Sequence, residues 1–205
     1  MLKIYIARHG QNEDNKNGIL NGHRDLPLTD LGRAQARELV KGIKEKGLTF
    51  DAVLSSPLCR ACETGEIITD ALGLPKPEIL PGLIERDFGT MAGTLIKDIE
   101  VTYAPHIIKT SLITYAISPE GAETFPDLLV RAKKVLQEVQ DKYGDGSVLL
   151  ACHGDIGKFI YAVYYGHDWM WALTAFHFGN SELLLLSDDS GSEDSHVIRI
   201  EQHNH

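Results

Sequence analysis

Apolar residues in this chain occur both as short unbroken runs and as amphipathic stretches with helical spacing. A short apolar run between turn-forming residues is typical of a buried strand, whereas apolar positions three and four residues apart are typical of a helix packed on one face. The short runs predict strands over residues 2–7, 52–54, 78–80, 147–151, 182–186 and 197–200.

The segments between these strands carry helix signals. The predicted helices cover residues 30–46, 57–73, 123–143 and 155–165. Thr29 or Asp30 is expected to cap the first helix, and Ser55 or Ser56 the second, because their side-chain oxygens can accept from free backbone amides. Pro57 fits the first turn of the second helix, where a missing N–H costs nothing. Polar and glycine-rich stretches predict a loop over residues 10–27, irregular structure with helical pieces over 82–122, and a solvated turn over 187–195.

Strands and helices therefore alternate, which predicts an α/β protein with a mostly parallel sheet and helices on both faces. With no internal repeat or dividing linker, residues 1–205 are expected to form one domain, with a small lid inserted at about residues 90–120. Ligands of such sheets bind beyond the carboxyl ends of the strands. Arg8-His9, Ser55-Ser56 and His153-Gly154 each follow a predicted strand directly, so we expect them at one edge of the sheet.

Charge and composition narrow the class of partner. The chain of 205 residues has a net charge of -9 and a pI of about 5.4, which argues against general binding to nucleic acid or to anionic membranes. No stretch is apolar for long enough to predict a membrane span, and the first residues lack a signal-peptide layout. These features predict a cytoplasmic protein with no membrane or nucleic-acid partner.

The three cysteines do not predict a disulfide framework, because their number is small and odd. Cys59 and Cys62 form a C-x-x-C motif near the expected start of a helix, a position that favours a thiolate. A redox role is therefore an alternative, although two small residues on a helix explain an isolated motif better. A zinc site is disfavoured, because no second pair of ligands completes it.

The residues after the strands suit a phosphoryl group. A phosphate monoester carries nearly two negative charges, and arginine matches them with a planar, permanently charged fork, as Arg8 and Arg60 could do. His9 could attack phosphorus while neutral, because nearby arginines lower its proton affinity. A backbone carbonyl must also fix one ring nitrogen, and the turn at Gly10 could supply it.

Two further residues would complete the chemistry. His153 could donate a hydrogen bond to the phosphoryl oxygens, and Gly154 would let the backbone approach closely. Glu85 is the predicted proton donor to the leaving oxygen, because a nearby phosphate should raise the pKa of its carboxyl. No metal or other cofactor is needed in this scheme. Taken singly, each residue could instead be a surface charge or a core histidine; His23 is expected near the pocket mouth.

These same residues make the chain resemble the histidine phosphatase superfamily, in its phosphoglycerate-mutase-like branch. The resemblance spans nearly the whole chain and rests on ordered matches. The matching segments are Ala7-Arg8-His9-Gly10-Gln11, Asn15, Asn21-Gly22, residues 25–29, Leu31-Gly32, residues 55–58, Arg60-Ala61, Glu63-Thr64, Leu83, Glu85, Gly89, Gly121-Ala122-Glu123-Thr124, Arg131 and His153-Gly154.

The resemblance implies a three-layer α/β/α sandwich and a phosphohistidine intermediate on His9, with Glu85 as the proton donor and no metal. It also implies a phosphate pocket whose residues are Arg8, Asn15, Asn21, Gly22, Arg60, His153 and the amide of Gly154. Three positions depart from the family pattern: Asn12 replaces Thr or Ser, Ala92 replaces an acidic residue, and His23 replaces an aromatic residue.

The resemblance leaves open whether the protein is a phosphatase, which hydrolyses a phosphomonoester, or a phosphoglycerate mutase. Phosphoglycerate mutases use a long insert with basic residues to hold the substrate carboxylate, whereas the segment between Gly93 and Pro119 is short and lacks an arginine pair. Hydrolysis of a small phosphorylated metabolite is therefore favoured over a cofactor-dependent phosphoglycerate mutase. A non-catalytic phosphate-binding module is a second alternative. Residues 169–171 and the lid could offer an apolar surface for a homodimer.

Overall fold

We describe the protein from a computed structural model, which covers residues 1–111, 113–192 and 196–202. Leu112 of the predicted lid and residues 193–195 of the predicted turn lie outside the described residues. The elements in chain order are β1 (Lys3–Arg8), α1 (Glu13–Asn17), α2 (Asp30–Glu45), β2 (Ala52–Ser55), α3 (Cys59–Leu72), β3 (Glu78–Ile79), α4 (Ile99–Tyr103), β4 (Ile107–Lys109), β5 (Thr114–Ala116), α5 (Phe125–Tyr143), β6 (Ser147–Cys152), α6 (Gly154–Tyr164), α7 (Trp169–Thr174), β7 (Leu183–Leu186) and β8 (His196–Ile198).

The central sheet has six strands in the order β3-β2-β6-β1-β7-β8. Strands β3, β2, β6 and β1 are mutually parallel, whereas β7 is antiparallel to β1 and β8 is antiparallel to β7. The short link between β7 and β8 allows only antiparallel pairing, because a parallel connection needs a longer crossover. The predicted α/β class is confirmed, with a mixed sheet that is parallel over its first four strands.

Both faces of the sheet are covered by helices. Side chains of β1 alternate between the faces, as the period of a strand requires: Ile4 and Ile6 join one hydrophobic cluster, and Tyr5 and Ala7 join the other. The first cluster contains the apolar faces of α5 and α6, and the second those of α2 and α3. This three-layer arrangement is the one that the sequence predicts.

The structure differs from the sequence prediction at several local elements. The predicted loop over residues 10–27 contains the short helix α1, which a reciprocal pair of hydrogen bonds between Asn12 and Asn15 stabilises at its start. Helix α3 begins at Cys59, and neither Ser55 nor Ser56 caps it. Both serines are instead buried, and the Ser56 hydroxyl accepts a hydrogen bond from the amide of Leu58.

Two further elements were not expected from the sequence. The segment predicted to be irregular contains a hairpin of β4 and β5, and helix α7 follows residue 168, whose carboxylate caps it. In α7 the two tryptophans pack inward, Trp169 against Phe125 and Trp171 against Tyr161, while Met170 stays exposed. Within the described ranges, the helices are all too short or too polar to cross a lipid bilayer.

Candidate active site

The ends of three parallel strands bring the predicted motifs together. Arg8 lies beside Cys152 in the pairing of β1 with β6, and Ser55 lies beside Ala151 in the pairing of β2 with β6. The residue after each strand therefore falls at the same edge of the sheet. The ring centroids of His9 and His153 are 5.1 Å apart, which confirms the predicted convergence of these two motifs.

The imidazole of His9 is held in one orientation. Its Nδ1 lies 2.6 Å from the carbonyl oxygen of Gly10, and its Nε2 lies 3.2 Å from the Nε of Arg60. Because the Gly10 carbonyl can only accept, the proton lies on Nδ1, and the unprotonated Nε2 accepts from Arg60 through its lone pair. A side chain at Gly10 would place its Cβ 2.2 Å from the carbonyl oxygen of Gly32, so the turn requires glycine.

The surroundings keep His9 neutral. The side chain is buried, and this burial lowers the pKa of the imidazole well below its usual range. The charges of Arg60 and Arg8 lower the pKa further, while the hydrogen bond to Gly10 opposes the change. The predicted direction is thus confirmed, although burial contributes more to the pKa shift than either arginine alone.

Backbone carbonyls fix the two arginines. Arg60 is fully buried in the first turn of α3, and its two terminal nitrogens donate to the carbonyls of Arg24 at 2.7 Å and Gly22 at 2.9 Å. Arg8 donates to the carbonyl of Phe178, and its buried Nε has no hydrogen-bond partner among the described residues. An unpaired buried donor of a charged group suits a site that takes an anion.

His153 lies behind the cavity wall. Its Nε2 is 2.7 Å from the Ser56 hydroxyl, and its buried Nδ1 has no hydrogen-bond partner in the described chain. Burial first, and then the charge of Arg60, lowers the pKa of the imidazole well below its usual range. The ring is therefore neutral at neutral pH.

The carboxylate of Glu85 sits at the N-terminus of α6. One oxygen accepts from the amides of Arg86 at 2.9 Å and Ile156 at 3.1 Å, and the other accepts from the amide of Asp155 at 3.3 Å. A Cβ at Gly154 would lie 3.7 Å from Glu85 and 3.6 Å from Arg8, which are ordinary contact distances, so Gly154 lies between these two side chains without a steric requirement for glycine.

The pKa of Glu85 reflects opposing influences. Burial raises the pKa of the carboxyl, and the nearby Asp155 carboxylate raises it further. The amide hydrogen bonds and the charge of Arg60 act in the opposite direction. We conclude that the pKa is raised, which is the direction that a proton donor requires; the sequence prediction attributed it to bound phosphate, whereas burial already produces it.

Arg131 supports the segment that carries Glu85. Its guanidinium donates to the carbonyls of Gly82 at 2.7 Å and Ile84 at 2.6 Å, and it forms a two-point ion pair with Glu123 at 2.8 and 2.6 Å. It also reaches the carbonyl of Glu85 at 3.3 Å. Local sequence spacing contains no independent signal for this function, because Arg131 lies 46 residues away from Glu85 on the amphipathic helix α5.

Asparagines connect the first loop to the site. Asn21 accepts from the side-chain amide of Asn12, and Asn15 accepts from that of Asn180 at 3.3 Å. Asn180 also donates to the carbonyl of His9 at 2.8 Å, so it anchors the backbone of the histidine. Sequence reasoning missed Asn180; its position just before β7, which pairs with β1, could have indicated it.

These residues border a cavity of about 600 Å³. Its lining includes most of the predicted site residues, namely Arg8, His9, Asn15, Asn21, Arg60, Glu85 and Gly154. Gly22 and His153 are not part of this lining. Gly22 contacts it through Arg60, and the ring centroid of His153 lies 5.1 Å from that of His9. The Nε2 of His23 donates to the backbone carbonyl of Glu85 at 2.8 Å, so His23 lies beside the cavity.

The far side of the cavity is formed by the lid segment and its neighbours. The lining residues of this segment are Met91, Ile96, Lys97, Ile99, Glu100, Ile113, Thr114, Tyr115 and Ala116. Most of them are apolar, whereas the opposite side carries the two arginines and the histidine. The cavity therefore has a charged phosphate end, defined by Arg8, His9 and Arg60, and a largely apolar lid end.

The cysteines do not have the features of a redox site. Burial raises the pKa of the Cys59 thiol to about 12 and also raises that of Cys62. The prediction that this helix start favours a thiolate is therefore wrong, because a neighbouring Asp25 carboxylate adds to the effect of burial. Over residues 1–111, 113–192 and 196–202, histidine, cysteine and acidic side chains form no group of three or more that could hold a metal ion.

The fold and this geometry define an α/β protein with a histidine held between two arginines at the carboxyl edge of its sheet. A sequence profile of the histidine phosphatase superfamily (branch 1) matches residues 4–199, and the chain belongs to this family. It is 36% identical over 159 residues to a 2,3-bisphosphoglycerate-dependent phosphoglycerate mutase of Parvibaculum lavamentivorans, covering 74% of each chain.

Solved structures agree on the fold. The chain superposes on a mycobacterial glucosyl-3-phosphoglycerate phosphatase complexed with VO3, with a TM-score of 0.75, 23% identity and coverage of 90% of this chain and 92% of the other. A phosphoserine phosphatase from Entamoeba histolytica in complex with 3-phosphoglyceric acid gives a TM-score of 0.71 at 24% identity, with 90% of each chain covered. The similar proteins are thus named both as mutases and as phosphatases.

Proposed function

We propose that this protein hydrolyses a small phosphomonoester through a phosphohistidine on His9, without a metal. The observation that carries this proposal is the fixed imidazole, with Nδ1 on the Gly10 carbonyl and Nε2 in the cationic end of a cavity. In the first step the Nε2 lone pair forms a bond to phosphorus while the bond from phosphorus to the ester oxygen breaks. Glu85 gives its proton to that oxygen, which leaves as an alcohol.

The second step regenerates the enzyme. The Glu85 carboxylate takes a proton from a water molecule, the water oxygen bonds to phosphorus, and the bond from phosphorus to Nε2 breaks. Arg8 and Arg60 offset the charge of the transferring group in both steps, with His153 behind them. Asn15, Asn21 and Gly154 complete the binding wall, and Gly22 holds Arg60 in place.

The composition of the lid favours hydrolysis over the mutase reaction, in which the phosphoryl group returns to the bound product. We propose that residues 1–205 form one domain and that residues 90–120 form a lid over the substrate. Among the described residues of this segment, Lys97 is the single basic side chain in the cavity lining, since Lys109 pairs with Glu100 at 2.8 Å. A mutase must hold its charged product until the phosphoryl group returns, and the lid itself offers one lysine for that, since Arg86 and Lys158, the further cations of the lining beyond the phosphate end, lie outside the lid.

Phosphoglycerate mutase activity is the second candidate. The observation that favours it is the name shared by curated relatives, which are 31 to 36% identical to this chain. The residues of the phosphate end serve both reactions, so the difference depends on the lid end. A non-catalytic binding module is disfavoured, because the histidine, both arginines and the glutamate are all present.

The experiment measures hydrolysis of p-nitrophenyl phosphate in the presence of a metal chelator, for the wild type, His9→Ala and His106→Ala. His106 is exposed on the lid and serves as the matched control. We expect His9→Ala to lose at least about a thousandfold in kcat and His106→Ala to retain full activity. Equal rates for wild type and His9→Ala would refute the proposal.

A second assay separates the two enzyme candidates. The wild type is incubated with 3-phosphoglycerate, with and without 2,3-bisphosphoglycerate, and both inorganic phosphate and 2-phosphoglycerate are measured. Release of phosphate that does not depend on the bisphosphate supports hydrolysis. Formation of 2-phosphoglycerate that requires the bisphosphate would assign the mutase reaction instead.

A further inference from the structure

The cavity contains a buried lysine that the proposed hydrolysis does not use. In the described part of the chain, two of the twelve lysines line the cavity, Lys97 and Lys158. Lys97 is exposed on the lid, whereas Lys158 lies on α6 and only 5% of its surface is exposed. Because Lys158 is buried and yet belongs to the lining, a molecule inside the cavity can reach its amino group.

The hydrogen-bond partners of Lys158 carry no charge. Its Nζ is 3.1 Å from the Tyr115 hydroxyl and 3.4 Å from the carbonyl oxygen of Leu173. A hydroxyl group and a carbonyl group can hydrogen-bond to a neutral amine as well as to an ammonium ion. The surroundings of Nζ therefore accommodate both protonation states.

Burial keeps part of Lys158 in the neutral form. Removal from water disfavours the ammonium ion and lowers the pKa of Lys158 to about 8, although the Asp155 carboxylate acts in the opposite direction. At neutral pH roughly a tenth of such a side chain is the free amine, whereas a fully solvated lysine has less than about a thousandth in this form. Only the free amine has a lone pair that can attack an electrophilic carbon atom.

Helix α6 places this amine next to the phosphate end. Lys158 follows Gly154 by four residues, so the two lie on the same face of the helix, about 6 Å apart along its axis. A Cβ at Gly154 would lie 3.6 Å from Arg8 and 3.7 Å from Glu85. A small molecule whose phosphate is held at the phosphate end would therefore have its other end near Nζ.

An aldehyde is the electrophile that suits this position. It is uncharged, like the hydrogen-bond partners of Lys158, and the Tyr115 hydroxyl can donate to its oxygen while the nitrogen attacks. The nitrogen lone pair bonds to the carbonyl carbon. Both hydrogens of the amine then leave with the carbonyl oxygen as one water molecule, and a carbon–nitrogen double bond remains. The step needs no oxidant or reductant.

We propose that Lys158 is a covalent modification site, which forms an imine with a phosphorylated aldehyde whose phosphate lies at the phosphate end of the cavity. The imine occupies the cavity, so aldehydes of this class act as reversible covalent inhibitors. This inference goes beyond the proposed hydrolysis, because it requires phosphate binding by Arg8 and Arg60 but no turnover.

The test uses pyridoxal 5′-phosphate, which carries a phosphate monoester and an aldehyde. The probe is added to the wild type and to His9→Ala, in which the proposed hydrolysis cannot consume it. Borohydride then reduces the imines to stable amines, and the labelled lysines are mapped by mass spectrometry. We expect Lys158 to be labelled at least about tenfold faster than Lys97 and the surface lysines, because its neutral fraction is larger.

Inorganic phosphate and two variants provide the controls. Phosphate at ten times its inhibition constant should slow the labelling of Lys158 by about tenfold, because it occupies the phosphate end. In Lys158→Met the rapid, phosphate-sensitive incorporation should vanish. Lys97→Met, the matched control from the same lining, should retain it.

Preferential labelling of Lys97 or of surface lysines would overturn the proposal, and so would labelling of Lys158 that phosphate does not slow. The map of the unsubstituted lysines gives this answer even where Lys158→Met fails to fold. Turnover of p-nitrophenyl phosphate separates the two proposals. Rapid labelling of Lys158 in a protein that does not hydrolyse this ester would refute the hydrolysis and support the modification site.

Discussion

The phosphate end and the lid end of the cavity are constructed in different ways. At the phosphate end, functional side chains follow parallel strands directly, and backbone carbonyls fix His9 and Arg60. At the lid end, the walls come from a short hairpin, single-turn helices and side chains of α6. The rigid sheet edge can hold reacting atoms in place, whereas surface segments can change shape and composition without disturbing it.

This difference separates chemistry from specificity. The residues proposed for phosphoryl transfer lie at the phosphate end, which mutases and phosphatases of the family can share. The rest of the lining, which we propose to contact the remainder of the substrate, lies at the lid end and carries apolar side chains together with Arg86, Tyr115 and Lys158. Changes at the two ends should therefore have different kinetic signatures.

The largest effect is expected from Glu85→Gln, which removes the proton donor. For 3-phosphoglycerate we predict a loss of about 10²- to 10⁴-fold in kcat, because an alkoxide is a poor leaving group without a proton. For p-nitrophenyl phosphate the loss should be much smaller, since p-nitrophenolate leaves without protonation. Steady-state kinetics with both substrates measure this contrast, and Glu120→Gln, an exposed glutamate, is the control. Equal losses on both substrates would contradict the assigned role.

A smaller effect is expected from Arg131→Met, which removes support from the segment carrying Glu85. Displacing the carboxyl group by about 1 Å should reduce kcat by about 10- to 100-fold with little change in KM. Arg131→Lys should recover part of the activity, because it retains the charge next to Glu123. A variant that loses stability but keeps the wild-type kcat would show that Arg131 only stabilises the fold.

The pH dependence should reveal His9 and Glu85 together. The pKa of His9 is lowered, so the imidazole stays neutral and nucleophilic well into the acidic range. The pKa of Glu85 is raised, so its proton remains available above the usual range of a glutamate and is lost as the pH rises. We predict an acidic optimum of kcat/KM for 3-phosphoglycerate, with an alkaline decline that Glu85→Gln abolishes. Activity that increases steadily towards alkaline pH would contradict this assignment.

The smallest effect is expected from the double variant Cys59→Ser/Cys62→Ser. Both thiols have raised pKa values and take no part in the proposed chemistry, so activity should remain within about twofold of the wild type. Treatment of the wild-type protein with iodoacetamide, followed by the p-nitrophenyl phosphate assay, provides an independent check without substitution of the cysteines. Loss of activity in the double variant, with His9→Ala still active, would favour the redox alternative.

Sequence patterns predicted the phosphate end better than the lid end. Each motif at the phosphate end follows an apolar strand. Parallel pairing brings the ends of such strands together independently of the conformation of the connecting loops. The β4–β5 hairpin was missed because its strands have three residues each, too few to show a period. The caps of α1 and α3 depend on which of several polar residues turns inward, and that choice depends on tertiary contacts such as Ser56 with His153.

Long-range contacts explain the remaining differences. Asn180 and Arg131 contact the site through hydrogen bonds to backbone carbonyls far away in sequence, at His9 and near Glu85. Nothing in their local spacing distinguishes them from surface residues. The thiolate prediction failed for a related reason, because burial and Asp25 outweigh the helix start that favoured ionisation.

Trapping the phosphorylated enzyme tests the central claim most directly. The wild type is mixed with a ³²P-labelled phosphomonoester, quenched rapidly in alkali, digested and mapped by mass spectrometry. We predict an alkali-stable, acid-labile phosphoryl group on the Nε2 atom of His9, which disappears when water completes the reaction and is absent from His9→Ala. Label on Ser55, Ser56, a cysteine or His153 would contradict the account.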